Sequence, residues 1–326
     1  MPGKIIKKIL CILILTVGIA VFVYPEAAAR RFDRETETAV TAFETAAEEE
    51  AKDAARAEAE AGSAAEDGEE RAAESGGEDS GGADILISSE SLRESVQAYN
   101  AGLWETRQAD YSDAWAVAQA PSIEGLDDAM FGYIEIPAMD TELPLYIGAS
   151  AANLARGAAV LGATSLPVGG ENTNCIIAAH RGYRGIPFFR DIEKLSVGDS
   201  VYITNPWGTL GYRVESVDII DPTDSDKVKI REGRDMVTLM TCHPYRSNGR
   251  YRYVVYCIRD DSVLSGDARQ GGAEAAYIMA SDGTVYEASQ PDIEKETLFR
   301  RVCAAALILF FLICLLTGRR RHGNLH

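Results

Sequence analysis

Between Phe131 and Arg259 the chain runs in short apolar or alternating stretches: FGYIEIP, LPLYIG, NCIIAAH, DSVYIT, GYRVESVDII, MVTLMTC and RYRYVVYCIR. Gly, Pro, Asn and Asp separate them. Many short strands with only brief helical pieces predict an all-β barrel or sandwich. AANLARG and IPFFRDIEKL are candidate short helices. Further on, AAYIMASDGTVYEAS forms two short runs about Asp282-Gly283, which predicts a hairpin. Upstream, SLRESVQAYNAGLW has apolar residues at Leu92, Val96, Tyr99 and Leu103. That spacing predicts a helix, with Ser91 as N-cap and Glu94 three residues on. ETRQADYSDAWAVAQAP then predicts a loop to Pro121 with isolated aromatics.

Two longer apolar runs lie near the ends. Ile9 to Tyr24 is 16 residues long and follows Lys4, Lys7 and Lys8. It is short for a span, which usually needs about 20 apolar residues. It reads as an uncleaved anchor or as a signal peptide with Ala27-Ala28-Ala29 as cleavage-like tail. Val302 to Thr317 is apolar on all faces and is followed by Arg319, Arg320 and Arg321. A membrane span with a basic, cytoplasmic end is expected there. With both ends anchored, everything between lies outside the cytoplasm.

The net charge of −18 is not evenly spread. Residues 26–84 carry 19 acidic and 6 basic side chains, a net of −13. This Ala/Glu/Gly-rich stretch predicts a disordered or partly helical spacer. No basic face is in evidence, so nucleic acid is not an expected partner. The expected segments are an anchor or signal over 1–25, the spacer over 26–84 and a helix with a lid-like segment over 85–121. A barrel follows over 122–262, then a linker with the hairpin over 263–295, a span over 296–318 and a basic tail over 319–326. Of six cysteines, Cys11, Cys303 and Cys314 fall in the terminal apolar runs. Cys175, Cys242 and Cys257 remain, without disulfide or zinc spacing. A free, reactive thiol is the simplest reading; a Cys175–Cys257 bridge stays open.

The segment TLMTCHPYRSNGRYRY, residues 238–253, concentrates candidate chemistry. A cysteine nucleophile needs a proton-transfer partner. The folded part holds two histidines, His180 and His243. His243 directly follows Cys242, and adjacent strand residues face opposite ways, so it is poorly placed. His180 ends the run CIIAAH, and a barrel can bring that strand end beside Cys242. A fixed cation would stabilise the oxyanion of an acyl transfer. Arg250 and Arg252 share one face by period two, and Arg252 begins the apolar strand. Taken singly, a strand-end cysteine is more often a small core residue, a lone histidine more often structural, and an arginine beside tyrosines usually surface.

At TLMTC, with Arg252-Tyr-Val-Val downstream and His180-Arg-Gly upstream, the chain resembles a sortase transpeptidase. GYIEIP, LPLYIG, GATSLPVGG, AAHRGYRG, FFRDIEKLSVGD and VTLMTCHPY follow in that family's order, covering about Phe131 to Arg259. The two-anchor layout and TSLPVGG look like class C, the pilin-polymerising branch. The resemblance implies an eight-stranded sortase-type β-barrel with short helices, preceded by a helix and lid-like loop. It implies Cys242 as nucleophile, His180 as proton-transfer partner and Arg252 as stabiliser of substrate or oxyanion. Substrates would be pilins or surface proteins with an LPXTG-like signal, cut after Thr through a thioester and passed to a pilin lysine amine. No metal or organic cofactor is implied.

Several positions depart from the family pattern. Its lid carries Asp-Pro-aromatic; here Asp113-Ala114-Trp115 lacks the proline, which raises the entropy of the free loop. His243 and Ala179 stand where threonine and glycine are usual. The Cys-to-Arg spacing is one residue longer than expected, which keeps Arg250 a rival to Arg252. Thr241 either helps hold the site or is an ordinary β-branched strand residue. A cell-wall-anchoring sortase differs only in its acceptor amine. An L,D-transpeptidase would carry its His-Gly motif close before the cysteine, whereas His180 lies 62 residues upstream of Cys242. A tethered, non-catalytic β-domain would leave Cys242 inert.

Overall fold

The computed structural model describes residues 2–64, 90–108, 119–126, 129–247, 249–265 and 277–320. The side chains of 2–12 and 314–320 are among those outside this description. The helices are α1 (Pro2–Ala64), α2 (Glu90–Glu105), α3 (Ala151–Arg156) and α4 (Gln290–Arg320). The strands are β1 (Met130–Ile136), β2 (Thr141–Ile147), β3 (Ala158–Val160), β4 (Thr173–Ala178), β5 (Arg181–Tyr183) and β6 (Ile186–Phe188). They continue with β7 (Ser200–Asn205), β8 (Gly208–Ile220), β9 (Asp235–His243), β10 (Tyr251–Arg259), β11 (Tyr277–Met279) and β12 (Val285–Glu287).

Eight strands close into a barrel in the order β1-β2-β3-β4-β9-β10-β8-β7, with β7 pairing back onto β1. The pairs β2–β3 and β4–β9 are parallel; the other barrel pairs are antiparallel. Period two sorts each strand into two faces. Cys175, Ile177 and Ala179, Val237 and Leu239, and Tyr253, Val255 and Cys257 fill the interior. Ile176 and Ala178, Met236 and Met240, and Val254 and Tyr256 form a second apolar layer on the outside. The expected eight-stranded barrel is present, its strands running from Met130 to Arg259.

The helix expected at Ser91–Trp104 is α2, which buries Leu92, Val96 and Asn100. It begins at Glu90, so Ser91 lies within the first turn rather than capping it. Asn100 grips the barrel loop at one backbone unit. Its Nδ2 donates to Leu166 O at 3.1 Å, and its Oδ1 accepts from Leu166 N at 2.8 Å. Removing that amide leaves two buried backbone groups unpaired. Asn100→Ala is expected to cost about 2–4 kcal/mol and to lower the thermal midpoint by roughly 5–15 °C. Thermal unfolding by circular dichroism checks this.

IPFFRDIEKL is not a helix but β6 followed by a 3₁₀ turn at Ile192–Lys194, because Phe188 and Phe189 are drawn into the core. The start of the acidic stretch takes the helical of its two expected forms, with α1 running unbroken through residues 26–64, but it is packed rather than free. It buries Phe32, Thr36, Val40 and Phe43. Phe32 meets Phe188 edge-on at 5.1 Å, and Phe43 meets Tyr133 at 6.2 Å. Cys175 and Cys257 are buried free thiols, so no bridge joins them.

The hairpin about Asp282-Gly283 is β11 and β12. Ser281 N donates to Asp218 Oδ1 at 2.8 Å, fixing the turn to β8. From there α4 leaves and packs along α1, with Arg301 Nε 3.3 Å from Glu26 Oε1. Among the described residues no helix is long and apolar enough to cross a membrane. The terminal spans expected from sequence include side chains outside this description, those of 9–12, 14–15 and 314–317.

Candidate active site

Cys242 stands near the end of β9, half-buried. It continues the outward series Met236, Met240, so its thiol leaves the barrel rather than filling it. The next barrel strand on one side is β4, parallel to β9, with Ala178 paired to Met240. The ladder goes one bond further, Ala179 N donating to Met240 O at 3.2 Å. Thr241 Oγ1 donates back to Ala179 O at 2.7 Å. Thr241 thus ties the two strand ends together. His180 follows two residues after Ala178, past the end of β4, just as Cys242 follows two residues after Met240, the partner of Ala178.

The strand on the other side is β10, in which Arg252 pairs directly with Cys242. Arg252 shares its face with Val254 and Tyr256, again outward. Its Nη1 donates to Tyr251 O at 3.1 Å. Gly249, at φ +80°, lets the loop pass over both groups. A Cβ there would sit 2.7 Å from Arg252 Nη1 and 3.2 Å from Cys242 Sγ. The guanidinium and the thiol therefore flank one small volume. Arg250 lies before β10, and its guanidinium lies 5.4 Å from the centre of the Tyr251 ring. Arg250 thus lies outside the strand that carries Arg252, and only Arg252 is paired in register with Cys242.

His180 is held by aromatic neighbours. Its ring stacks on Tyr183 at 4.7 Å and meets Phe188 edge-on at 6.2 Å. Its backbone oxygen accepts from Phe189 N at 3.0 Å. Burial lowers its pKa below the ordinary 6.5, because a charged ring is poorly solvated there. The neutral imidazole is therefore the resting form near neutral pH. By contrast, burial pushes the Cys175 and Cys257 thiols up and keeps them protonated.

So β9 and β10 hold Cys242 and Arg252 side by side, and His180 follows the end of β4, the neighbour of β9 on its other side. A thiol with a cation beside it and a neutral base after the neighbouring strand suit attack on a carbonyl carbon. Among the described residues no group of three or more His, Cys, Asp or Glu side chains could hold a metal ion. Asp113 and Trp115, the lid-like pair, lie outside the described residues.

His243 points inward, as expected from its parity, and is fully buried. Sequence reasoning missed what it meets. Arg181 and Glu193 lie beneath the site as a buried ion pair in contact with it. The available signal was parity: Arg181 follows His180 as His243 follows Cys242, so both turn into the barrel.

The model of the sortase domain matches residues 134–260. Sortase A of Bacillus anthracis is 29% identical over 177 residues, which cover 53% of this chain and 82% of that protein. Sortase C from Clostridium perfringens SM101 is 35% identical, covering 53% of this chain and 89% of the solved one, with a TM-score of 0.46. Sortase C2 of Group B Streptococcus pilus island 1 is 33% identical, covering 53% and 99%, with a TM-score of 0.47.

Proposed function

The chain belongs to the sortase family of cysteine transpeptidases, and on that premise we propose that it polymerises pilins, with Cys242, His180 and Arg252 as its catalytic residues. The observation that carries the residue assignment is the register: Arg252 pairs with Cys242, and His180 follows two residues after Ala178, which pairs with Met240 on the strand of Cys242. Cys242 Sγ attacks the carbonyl carbon of the scissile Thr–Gly bond in an LPXTG-like signal while its proton passes to His180. Arg252 faces the oxyanion that forms. The tetrahedral intermediate collapses to a thioester, and His180 gives its proton to the departing glycine amine. A lysine amine of a neighbouring pilin then attacks the thioester, losing its proton to His180. An isopeptide bond forms and the thiol is restored.

The pilin acceptor is supported by identity to sortases C of 33–35%. A solved sortase C from C. perfringens is described with a C-terminal cell wall sorting motif. The second reading, a wall-anchoring enzyme, draws on the 29% identity to a sortase A. A competition decides: the chain, a sorting-signal peptide, a lysine-bearing pilin domain and a peptidoglycan stem peptide are incubated together. Polymerase action predicts an isopeptide to the pilin lysine by mass spectrometry. Product on the stem peptide alone selects the other reading.

We place the barrel outside the cytoplasm, anchored through α1 and α4. Their exposed apolar side chains support this, among them Val17, Val21, Leu309, Phe310 and Leu312. A chain that stays in the supernatant after membrane sedimentation would contradict it.

A pH dependence follows from His180. Its half-buried ring takes a proton at lower pH than an exposed histidine, and the protonated ring cannot accept the thiol proton. The acid limb of kcat/KM is therefore expected below pH 6.5. A pH–rate profile checks this, and a limb at or above that value would contradict the assignment.

A further inference from the structure

The floor beneath Cys242 holds charged groups that the proposed chemistry does not use. Arg181 Nη1 lies 2.9 Å from His243 Nδ1 and donates to the carbonyl oxygen of Cys242 itself at 3.3 Å. Arg181 also pairs with Glu193, whose Oε1 is 3.4 Å from His243 Nδ1. The three side chains are at most 2% exposed. Tyr253 lies against the cluster from β10, its ring 6.1 Å from that of His243.

The far wall comes from the C-terminal segment. Gln290 N donates to Glu193 Oε2 at 2.7 Å. The Tyr286 ring meets His243 edge-on at 6.0 Å and Tyr251 at 5.2 Å. Ser289 Oγ accepts from Tyr245 N at 3.1 Å, fixing the loop that follows Cys242. The cluster therefore joins four stretches: the residue after His180, the residue after Cys242, the 3₁₀ turn and the start of α4.

Stability alone gives poor reason for this arrangement. Among the described residues, His243 Nε2, Arg181 Nε and Gln290 Oε1 are buried without a hydrogen-bond partner. Such atoms are costly, and well-packed apolar side chains often serve a barrel floor as well or better. Burial pushes the Glu193 carboxyl up, yet His243, Arg181 and the Gln290 N–H together hold it below the usual carboxylate range. Glu193 is thus an anion whose partners are the neighbours of both reacting side chains.

We propose that the Arg181–Glu193–His243 cluster is a positioning device: it locks the strand ends bearing His180 and Cys242 into reacting register and makes Tyr286–Gln290 part of the site's floor. The activity readout rests on the sortase reading; the labelling readout does not. His243 is then a positioning residue, acting through the backbone it shares with Cys242.

The test compares His243→Ala and His243→Asn in the full chain. An asparagine amide offers an oxygen to Arg181 and an N–H to Glu193 without the ring. Peptide cleavage gives kcat and KM, iodoacetamide labelling of Cys242 is followed by mass spectrometry, and thermal unfolding gives the folded fraction. His243→Ala is expected to lower kcat roughly 10- to 100-fold with KM little changed, and to alter the labelling rate. His243→Asn is expected to restore most of both. A lower thermal midpoint with unchanged kcat and labelling per folded molecule would make the cluster merely structural and overturn the proposal. If His243→Ala does not fold, Glu193→Gln replaces it; unchanged kcat and labelling there would also overturn it. If the native chain cleaves no sorting peptide, the substrate reading fails, and the labelling comparison still decides the positioning claim.

Discussion

Replacing Cys242 with alanine is expected to abolish the acyl-enzyme and to lower peptide cleavage to roughly 10⁻⁴ of the native rate or less, the scale of loss when a covalent nucleophile is removed. The barrel is expected to keep its thermal midpoint. Cys242 leaves the core at the end of β9, so truncation opens no interior cavity. Neither of the other barrel thiols can substitute: Cys175 and Cys257 are enclosed in the barrel and held protonated by burial. Chromatographic assay of peptide cleavage, with thermal unfolding as control, checks both halves. Residual activity of a few per cent would show that the chemistry runs through another group.

Arg252→Ala is expected to cost on the order of 10³-fold in kcat/KM, while Arg250→Ala stays within about threefold of native. The difference comes from register. Arg252 is the direct partner of Cys242 across the β9–β10 ladder, and Gly249 leaves one small volume between guanidinium and thiol. Arg250 lies in the preceding loop beside Tyr251. Arg252→Lys should recover only part of the loss, because an ammonium on a flexible stem does not reproduce the planar fork. Steady-state kinetics of the three variants checks this. Equal losses at positions 250 and 252 would remove the argument from register.

The candidate site was legible because each of its residues terminates an apolar run. Cys242 ends MVTLMTC, His180 ends NCIIAAH, and Arg252 opens RYVVYCI. Period two also told that His243 and Cys242 face apart. What could not be read was adjacency. Nothing in the spacing of His180 and Cys242 states that β4 and β9 run parallel, or that Ala178 meets Met240. The same gap hid the floor. Arginine, glutamate and histidine are ordinarily exposed, and only the meeting of Arg181, Glu193 and His243 makes their burial tolerable. The docking of α1 was masked differently. Phe32, Val40 and Phe43 form a sparse stripe in an Ala/Glu-rich helix, and composition pointed to a spacer. The hairpin about Asp282-Gly283 was legible from its turn, yet its Tyr286 reaches His243, a contact no local pattern encodes.

Intact-mass spectrometry of the full chain mixed with an LPXTG-type peptide tests the central claim most directly. The account predicts a mass gain equal to the peptide's acyl portion up to Thr, carried on Cys242 and absent from the Cys242→Ala chain. No adduct across several sorting motifs, or an adduct that persists in Cys242→Ala, would contradict it.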